Sequence, residues 1–262
     1  MRVAVVSAYF KESRQVLQRC LESVKAQSHP CTHFLISDGH PQSFLDDLPV
    51  RHVKLGAAHA DYGDTPRSIG SLLAIQEEFD AIAYLDADNF FVPDHIQQTL
   101  DAAAATGKVF DVLTTRRFLV RPDGSRLPVV DESFQTHADT SCFLILRGGF
   151  PLVHLWALVP RPLSVIGDRV FLRAILARGC RIGHVPRQSV GYQALWTNLY
   201  LALGEVPPEG AKEIHTEIEE AIRWWLALIE PERAEVTRTL GFDPGPLLDE
   251  IASAPAQSLL HP

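Results

Sequence analysis

What this sequence lacks narrows it first. No apolar run approaches the roughly 18 to 20 residues that a helix needs to cross a bilayer. Stretches such as CFLILRGGF and WWLALI fall well short, so no transmembrane segment is expected. The opening MRVAVVSAYF is broken by polar residues and no small-residue cleavage site follows, so a signal peptide is not expected either. The four cysteines, Cys20, Cys31, Cys142 and Cys180, show none of the short paired spacings that bind zinc or mark a thiol redox centre, and reduced cytosolic thiols are the expectation. Positive charge is in deficit: 24 Lys and Arg stand against 32 Asp and Glu, for a net charge of -8. That balance offers no footprint for nucleic acid or an anionic membrane. There is no internal repeat and no low-complexity segment. What is present, 262 residues with 46% hydrophobic and 21% charged side chains, is the composition of a folded globular chain.

The first hundred residues alternate in period. Residues 2–7 read as a buried strand, and Ser13 as the N-cap of a helix with Val16, Leu17, Cys20, Leu21 and Val24 on one face, closed by His29 and Pro30. A second strand, 33–37, stops at Asp38 and Gly39, and a third covers 51–55. A second helix is expected over 67–79 with Ile69, Leu72, Leu73 and Phe79 inward, followed by a strand over 80–85. Pro93 suits the first turn of the next helix, and 109–120 return as a strand. Such alternation argues for an α/β layer with a largely parallel sheet, whose ligands bind beyond the carboxyl ends of the strands. The second half is less regular. RPDGSRLP is a turn, SCFLILR a buried strand, and GDRVFLRAILARG a helix ended by Gly179. EGAKEIHTEIEEAIRWWLALIEPER reads as one long amphipathic helix packed on the body of the domain; Trp224 and Trp225 could instead serve a dimer or membrane-surface contact. The tail beyond Phe242 is expected to be loosely held.

Within AIAYLDADNFFVPDHI an apolar strand runs into two acids, Asp86 and Asp88. At i and i+2 they point to the same side of an extended chain and can share a ligand. Hard carboxylate oxygens suit Mg²⁺ or Mn²⁺, which take one or two carboxylates together with waters and substrate phosphates. The loop fails the calcium-loop pattern because Phe90 stands where an acid or Asn is required. A DxD pair alone carries little weight, since a chain of this length contains about one by chance. Its place at the end of a buried strand gives it meaning, because carboxylates are costly to bury without partners. The plainer alternative is a pair of acids that cap the following helix or face solvent.

Taken in order, the motifs resemble those of a family 2 glycosyltransferase of the GT-A fold. VAVVSAYFKE is similar to that family's first strand and turn, LQRCLESVKAQSHP to its next helix, and FLISDGH to the strand ending in the acid that reads the nucleotide base. TPRSIGSLLAI, IAYLDADNFFVPDHI and IGDRVFLRAILARGCRIGHVP resemble its later helix start, metal-binding strand and catalytic helix, so the likeness covers about residues 2–186. The resemblance implies an α/β, Rossmann-like nucleotide-diphospho-sugar transferase with a mostly parallel sheet flanked by helices and a helical C-terminal extension. A GT-A catalytic domain would occupy 1–205, divided into a nucleotide-sugar-binding half, 1–116, and an acceptor-binding half, 117–205, with a C-terminal helix and tail at 206–262.

Carried over by position, the resemblance implies that Ala8, Tyr9 and Asp38 hold the base, most often uracil, and that Arg67 reaches the nucleotide. Asp86 would meet the ribose or a metal-bound water, and Asp88 the Mn²⁺ or Mg²⁺ on the diphosphate. Asp168 becomes the candidate general base of an inverting, non-processive transfer from a nucleotide-diphosphate sugar, with UDP-sugar the expected donor, to a carbohydrate, lipid-linked or small-molecule acceptor. A helix-start salt bridge is the alternative for Arg67, and a first-turn acid favoured by the helix dipole the alternative for Asp168. His137 and Asp139 stand as candidates for the acceptor side or as loop residues making local caps. The expected setting is cytoplasmic, including a position peripheral to the inner face of the membrane.

Departures from the pattern are specific. Ser7 and Phe10 replace Pro and Asn, Ser68 replaces Asn, HPQS follows Gly39, and Gly167 stands where a Glu often precedes the catalytic Asp. Gln193 lies near where some members place a metal-binding His, for which His184 is the substitute to consider. QALW at 193–196 lacks the Arg used by processive synthases. A nucleotidyltransferase would carry a Gly-rich basic loop after its first strand, and an aspartyl phosphatase its DxD there; SAYFKES is neither. The rival from another class is a glycosyltransferase-like module that binds a nucleotide sugar or a partner without turnover.

Overall fold

The computed structural model describes residues 1–128 and 137–253. The strands β1 (Val3–Tyr9), β2 (Cys31–Ser37), β3 (Arg51–Lys54), β4 (Ala81–Tyr84), β5 (Phe90–Phe91), β6 (Val112–Val120), β7 (Phe143–Leu146) and β8 (Ile182–Gln193) form one sheet in the order β3-β2-β1-β4-β7-β6-β8-β5. The side containing β1 is parallel throughout, with β1 between β2 and β4. Beyond β4 the sheet turns mixed: β7 runs antiparallel to both β4 and β6, whereas β8 is parallel to β6 and antiparallel to β5.

The two-residue period of β1 sorts its side chains to opposite faces. Ala4 and Val6 join Phe34, Ile36, Ile82, Tyr84, Trp156 and Phe171 in one apolar layer. Val3 and Val5 join Cys20, Val24, Leu85, Ile96 and Leu144 in the other. The second layer is closed by α1 (Arg14–Lys25) and α3 (His95–Ala105). Ser13 caps α1 as its sequence position predicts, its hydroxyl accepting the Val16 amide at 3.3 Å. The first layer is closed by α2 (Asp64–Gln76), a 3-10 stretch (Arg147–Leu158) and α4 (Gly167–Ala177).

Several boundaries and faces differ from expectation. Helix α2 starts three residues before Arg67, from Gly63 in the left-handed region at φ 84. Its inward face is only partly the expected one: Phe79 is buried and Leu73 packs on the core, but Leu72 is 50% exposed, and Arg67, Ser68, Gly70, Ser71 and Ala74 are buried. Small residues let this helix sit close to the sheet. A Cβ on Gly70 would stand 2.6 Å from Val6 Cγ1 and 2.9 Å from Ile36 Cγ1. Pro93 precedes α3 rather than entering its first turn, and Asp94 takes the cap position. The expected long C-terminal helix is two, α6 (Ile214–Ala227) and α7 (Glu230–Leu240), after a short α5 (Thr197–Ala202). Leu228 and Ile229 are extended there, and Pro231 opens the first turn of α7 with the Glu232 carboxylate accepting the Ile229 amide. The stretch after Phe242 is not loose up to 253, because α8 (Gly245–Ser253) buries Leu247, Leu248 and Ile251. These meet Leu163, Ile166, Val170 and Trp225 in a core shared with the start of α4, so Trp225 is an internal residue. Residues 254–262 lie outside the described residues. The expected turn at 121–128 is present, with the Arg121 amide donating to Ser125 O at 2.8 Å. The division expected at 116/117 falls inside β6.

No helix among the described residues is long and apolar enough to cross a membrane. Gly70→Ala should lower stability by about 1–3 kcal/mol through overpacking against two stiff β-branched neighbours. A urea melt that places its midpoint at the wild-type value would show that α2 does not need this close approach.

Candidate functional site

Because β1, β2 and β4 are parallel neighbours, their carboxyl ends open on one edge. The Asp38 amide donates to Tyr9 O at 2.8 Å and the Leu85 amide to Val6 O at 3.1 Å, so the acids following β2 and β4 leave the sheet on either side of β1. A cleft of about 400 Å³ runs along this edge. Ala8, Tyr9, Asp38, Arg67, Asp86 and Asp88 line it from the first half of the chain, and Asp139, Asp168, Gln193, Trp196 and Lys212 from the second.

The turn at 86–89 is held from below by side chains that sequence reasoning did not single out. Ser141 Oγ accepts the Asp86 amide at 3.1 Å and Asn89 Nδ2 at 2.9 Å, while Asn89 Oδ1 accepts the Gln193 amide at 3.0 Å. The Arg19 guanidinium donates to the Asp88 carbonyl. With the backbone tied down, both carboxylates face the cleft. Among the described residues none donates to the Asp88 carboxylate. Burial, then the charge of Asp86, push its pKa up to about 7, against the pull of Lys212. Burial raises Asp86 to about 6, opposed by Arg67.

Arg67 is 3% exposed and its guanidinium lies 4.4 Å from the Trp156 ring centre. It donates to Asp64 Oδ1 and to Asp86 Oδ1, both at 3.0 Å. Burial alone would lower its pKa, yet Asp86 and Asp64 hold it above the ordinary value, so it stays charged between them. The helix-start ion pair and the place in the cleft are thus both present in one residue. Asp64 was missed, although its i,i+3 spacing from Arg67 is a legible pairing signal. Burial raises Asp64, with Arg67 opposing. Among the described residues its second oxygen makes no hydrogen bond of ordinary geometry, although the Ser164 hydroxyl lies close enough to favour the charged form.

Asp38 holds a loop. Its Oδ1 accepts the His59 amide at 2.8 Å and its Oδ2 the Ala60 amide at 2.9 Å, with His59 Nδ1 3.1 Å from Oδ1. In that loop Ala60 and Tyr62 have φ of 50 and 55, a conformation disfavoured for residues with a Cβ. Tyr9 is 1% exposed; its hydroxyl accepts the Gln42 amide at 3.0 Å and lies 2.7 Å from His52 Nε2, so ring and backbone rather than the hydroxyl meet the cleft. Ala8 packs against Gly63, where a Cβ would come within 2.9 Å.

On the far side Asp168 sits in the first turn of α4, with Oδ1 accepting the Arg169 amide at 2.7 Å and Oδ2 2.8 Å from His137 Nε2. Burial would raise its pKa, but His137, Arg169 and Arg117 together outweigh it and the pKa lies below the ordinary value. Asp139 accepts Arg117 at 2.7 Å and the Ser141 amide at 2.9 Å, while Arg117 packs 4.3 Å from the Tyr192 ring centre. The missing side chain of Gly167 has a reason in space: a Cβ there would stand 2.9 Å from Asp64 Oδ1. His184 is outside the lining of the cleft, with Nδ1 2.7 Å from Thr114 Oγ1.

Among the described residues there is no cluster of three or more His, Cys, Asp or Glu able to cage a cation. The donor chemistry suits one that brings phosphate oxygens with it: Asp88 is unclaimed, and Asp86 is tied to Arg67 through Oδ1 alone. A raised carboxylate pKa means that the folded state holds the proton more tightly than the unfolded chain. Stability therefore falls as pH rises from the unfolded value through about 7. Without divalent cation, Asp88→Asn should raise stability at pH 8 by on the order of 1–2 kcal/mol, discounting the full shift for partial contact with solvent. The gain should shrink towards pH 4. Thermal melts across that range would refute the charge penalty if the variant were no more stable than wild type at pH 8.

No family model matches the chain, and neither does any curated protein. Solved structures do. TarS 1–349 of S. aureus in complex with UDP is similar at TM-score 0.55 and 13% identity, over 98% of this chain and 89% of that one. A second structure of the same fragment is similar at TM-score 0.51 and 15% identity, over 92% and 70%. Its complex with UDP-GlcNAc follows at 0.50 and 14%, over 99% and 84%. At such identities the likeness speaks for the architecture: the mixed eight-stranded sheet flanked by helices is a GT-A-like nucleotide-sugar transferase fold.

Proposed function

We propose that this protein is a metal-dependent, inverting glycosyltransferase that moves a sugar from a nucleotide diphosphate, UDP in the first instance, to an acceptor hydroxyl. The observation that carries the reading is the meeting, in one cleft, of the Asp86 and Asp88 pair with an ionised, oriented Asp168 contributed by the other half of the chain. The likeness to structures solved with UDP and UDP-GlcNAc supports the donor class.

Asp88, with Asp86 beside it, would hold Mg²⁺ or Mn²⁺. A divalent cation there supplies electrostatic stabilisation of the charge that grows on the departing diphosphate. The chain's own residues do the rest. Ala8, Tyr9 and the loop pinned by Asp38 form the wall offered to the base. Arg67 keeps Asp86 ionised and pointed into the cleft. Asp168 accepts the proton of the acceptor hydroxyl as that oxygen attacks the anomeric carbon from the face opposite the leaving group. His137 fixes one Asp168 oxygen and the Arg169 amide the other, so the carboxylate has little rotational freedom.

With Mn²⁺ present, UDP should raise the melting temperature saturably, and Asp88→Ala should abolish the effect. Asp168→Asn should keep that stabilisation and lose turnover of a nucleotide sugar by about 10²–10⁴-fold. If no nucleoside diphosphate stabilises the wild type, the donor site is elsewhere or absent. If wild type binds but never turns over, the non-catalytic module is the correct description.

A further inference from the structure

We propose that Lys212 is the side chain that receives the diphosphate of the donor, an assignment that rests on the nucleotide-sugar reading above. The cleft is an improbable home for an anion. Seven acidic side chains line it, against two basic ones, Arg67 and Lys212. Arg67 is already committed to Asp64 and Asp86 and is nearly sealed from solvent. Lys212 is exposed, and no carboxylate among the described residues forms an ion pair with it. It lines the same cleft as Asp88 and Asp86.

The backbone puts it there. Residues 205–213 return from α5 to the mouth of the cleft and are fastened at both ends. At one end Glu205 forms a two-pronged pair with Arg121, at 2.6 and 3.0 Å. At the other, the Lys212 amide donates to Leu195 O at 2.6 Å and Lys212 O accepts the Thr197 amide at 3.0 Å, which makes a parallel bridge with Trp196. Trp196 is itself anchored through its indole N–H to the Tyr192 hydroxyl at 2.6 Å. The Lys212 ammonium lies 5.8 Å from the Trp196 ring centre. QALW carries no basic residue, and this bridge brings one beside it from sixteen positions further on. A flexible ammonium on a fixed backbone can follow a phosphate group as it gains charge.

Only backbone bonds form the bridge, so Lys212→Ala should fold and melt like wild type without ligand. With Mn²⁺, its affinity for UDP should fall about tenfold, the scale of one lost charge contact to phosphate. Uridine, which has no phosphate, should bind the variant and wild type alike, and Lys212→Arg should recover most of the loss. Equal UDP affinity in Lys212→Ala, or parallel weakening of UDP and uridine, would overturn the assignment while leaving the donor site standing. A wild type that binds neither UDP nor uridine would overturn the donor reading itself.

Discussion

A single buried guanidinium joins the parts of this molecule. Arg67, packed on Trp156, reaches Asp64 on its own helix and Asp86 beyond the next strand. Removing one partner of such a buried set leaves an uncompensated charge in low dielectric, a cost of several kcal/mol. The position of α2 against the sheet, the orientation of Asp86 and the absence of a side chain at Gly167 are therefore parts of one arrangement. Were α2 to carry bulky residues at Ser68, Gly70 and Ser71, its axis would stand farther from β1 and the guanidinium could not span to Asp86.

The two halves of the cleft owe their chemistry to different physics. Around Asp86 and Asp88, acids are gathered and partly desolvated without enough protein cations to balance them, so their charged state is held at a cost. On the opposite side, Asp168 meets His137 and a backbone amide and is held ionised. In the proposed mechanism these differently held carboxylates would meet opposite demands, one attracting a cation and the other taking a proton. Environment, not residue type, makes the difference.

Much of the first half was legible because its signals are local. The Ser13 cap, the alternation through β1, the turn at Asp38 and the acids ending the strand before Phe90 are each read from a few adjacent residues, and the order of motifs made the fold recognisable. What escaped was set by contacts distant in sequence. The inward face of α2 follows from how close the sheet must come, which hydrophobic periodicity does not report, and Leu72 is outside as a result. The break after Ala227 was hidden by a continuous amphipathic pattern, although Pro231 marked it. Ser141 and Lys212 carry no motif at all, because one reaches the turn beneath the cleft from the segment before an antiparallel strand and the other reaches the cleft through a backbone bridge. His137 could be placed near the site, but its partner Asp168 is 31 positions away and only the fold reveals the contact.

The loop fastened by Asp38 has a kinetic consequence. Its amides at His59 and Ala60 are already bonded to the protein, and the disfavoured dihedrals at Ala60 and Tyr62 are accepted during folding. On the proposed reading, a nucleotide arriving at this wall would meet a surface formed in advance and need not wait for a segment to order around it. Encounter would then be governed by diffusion and by the field of the surrounding carboxylates, which repels a bare anion and admits one that comes with its cation.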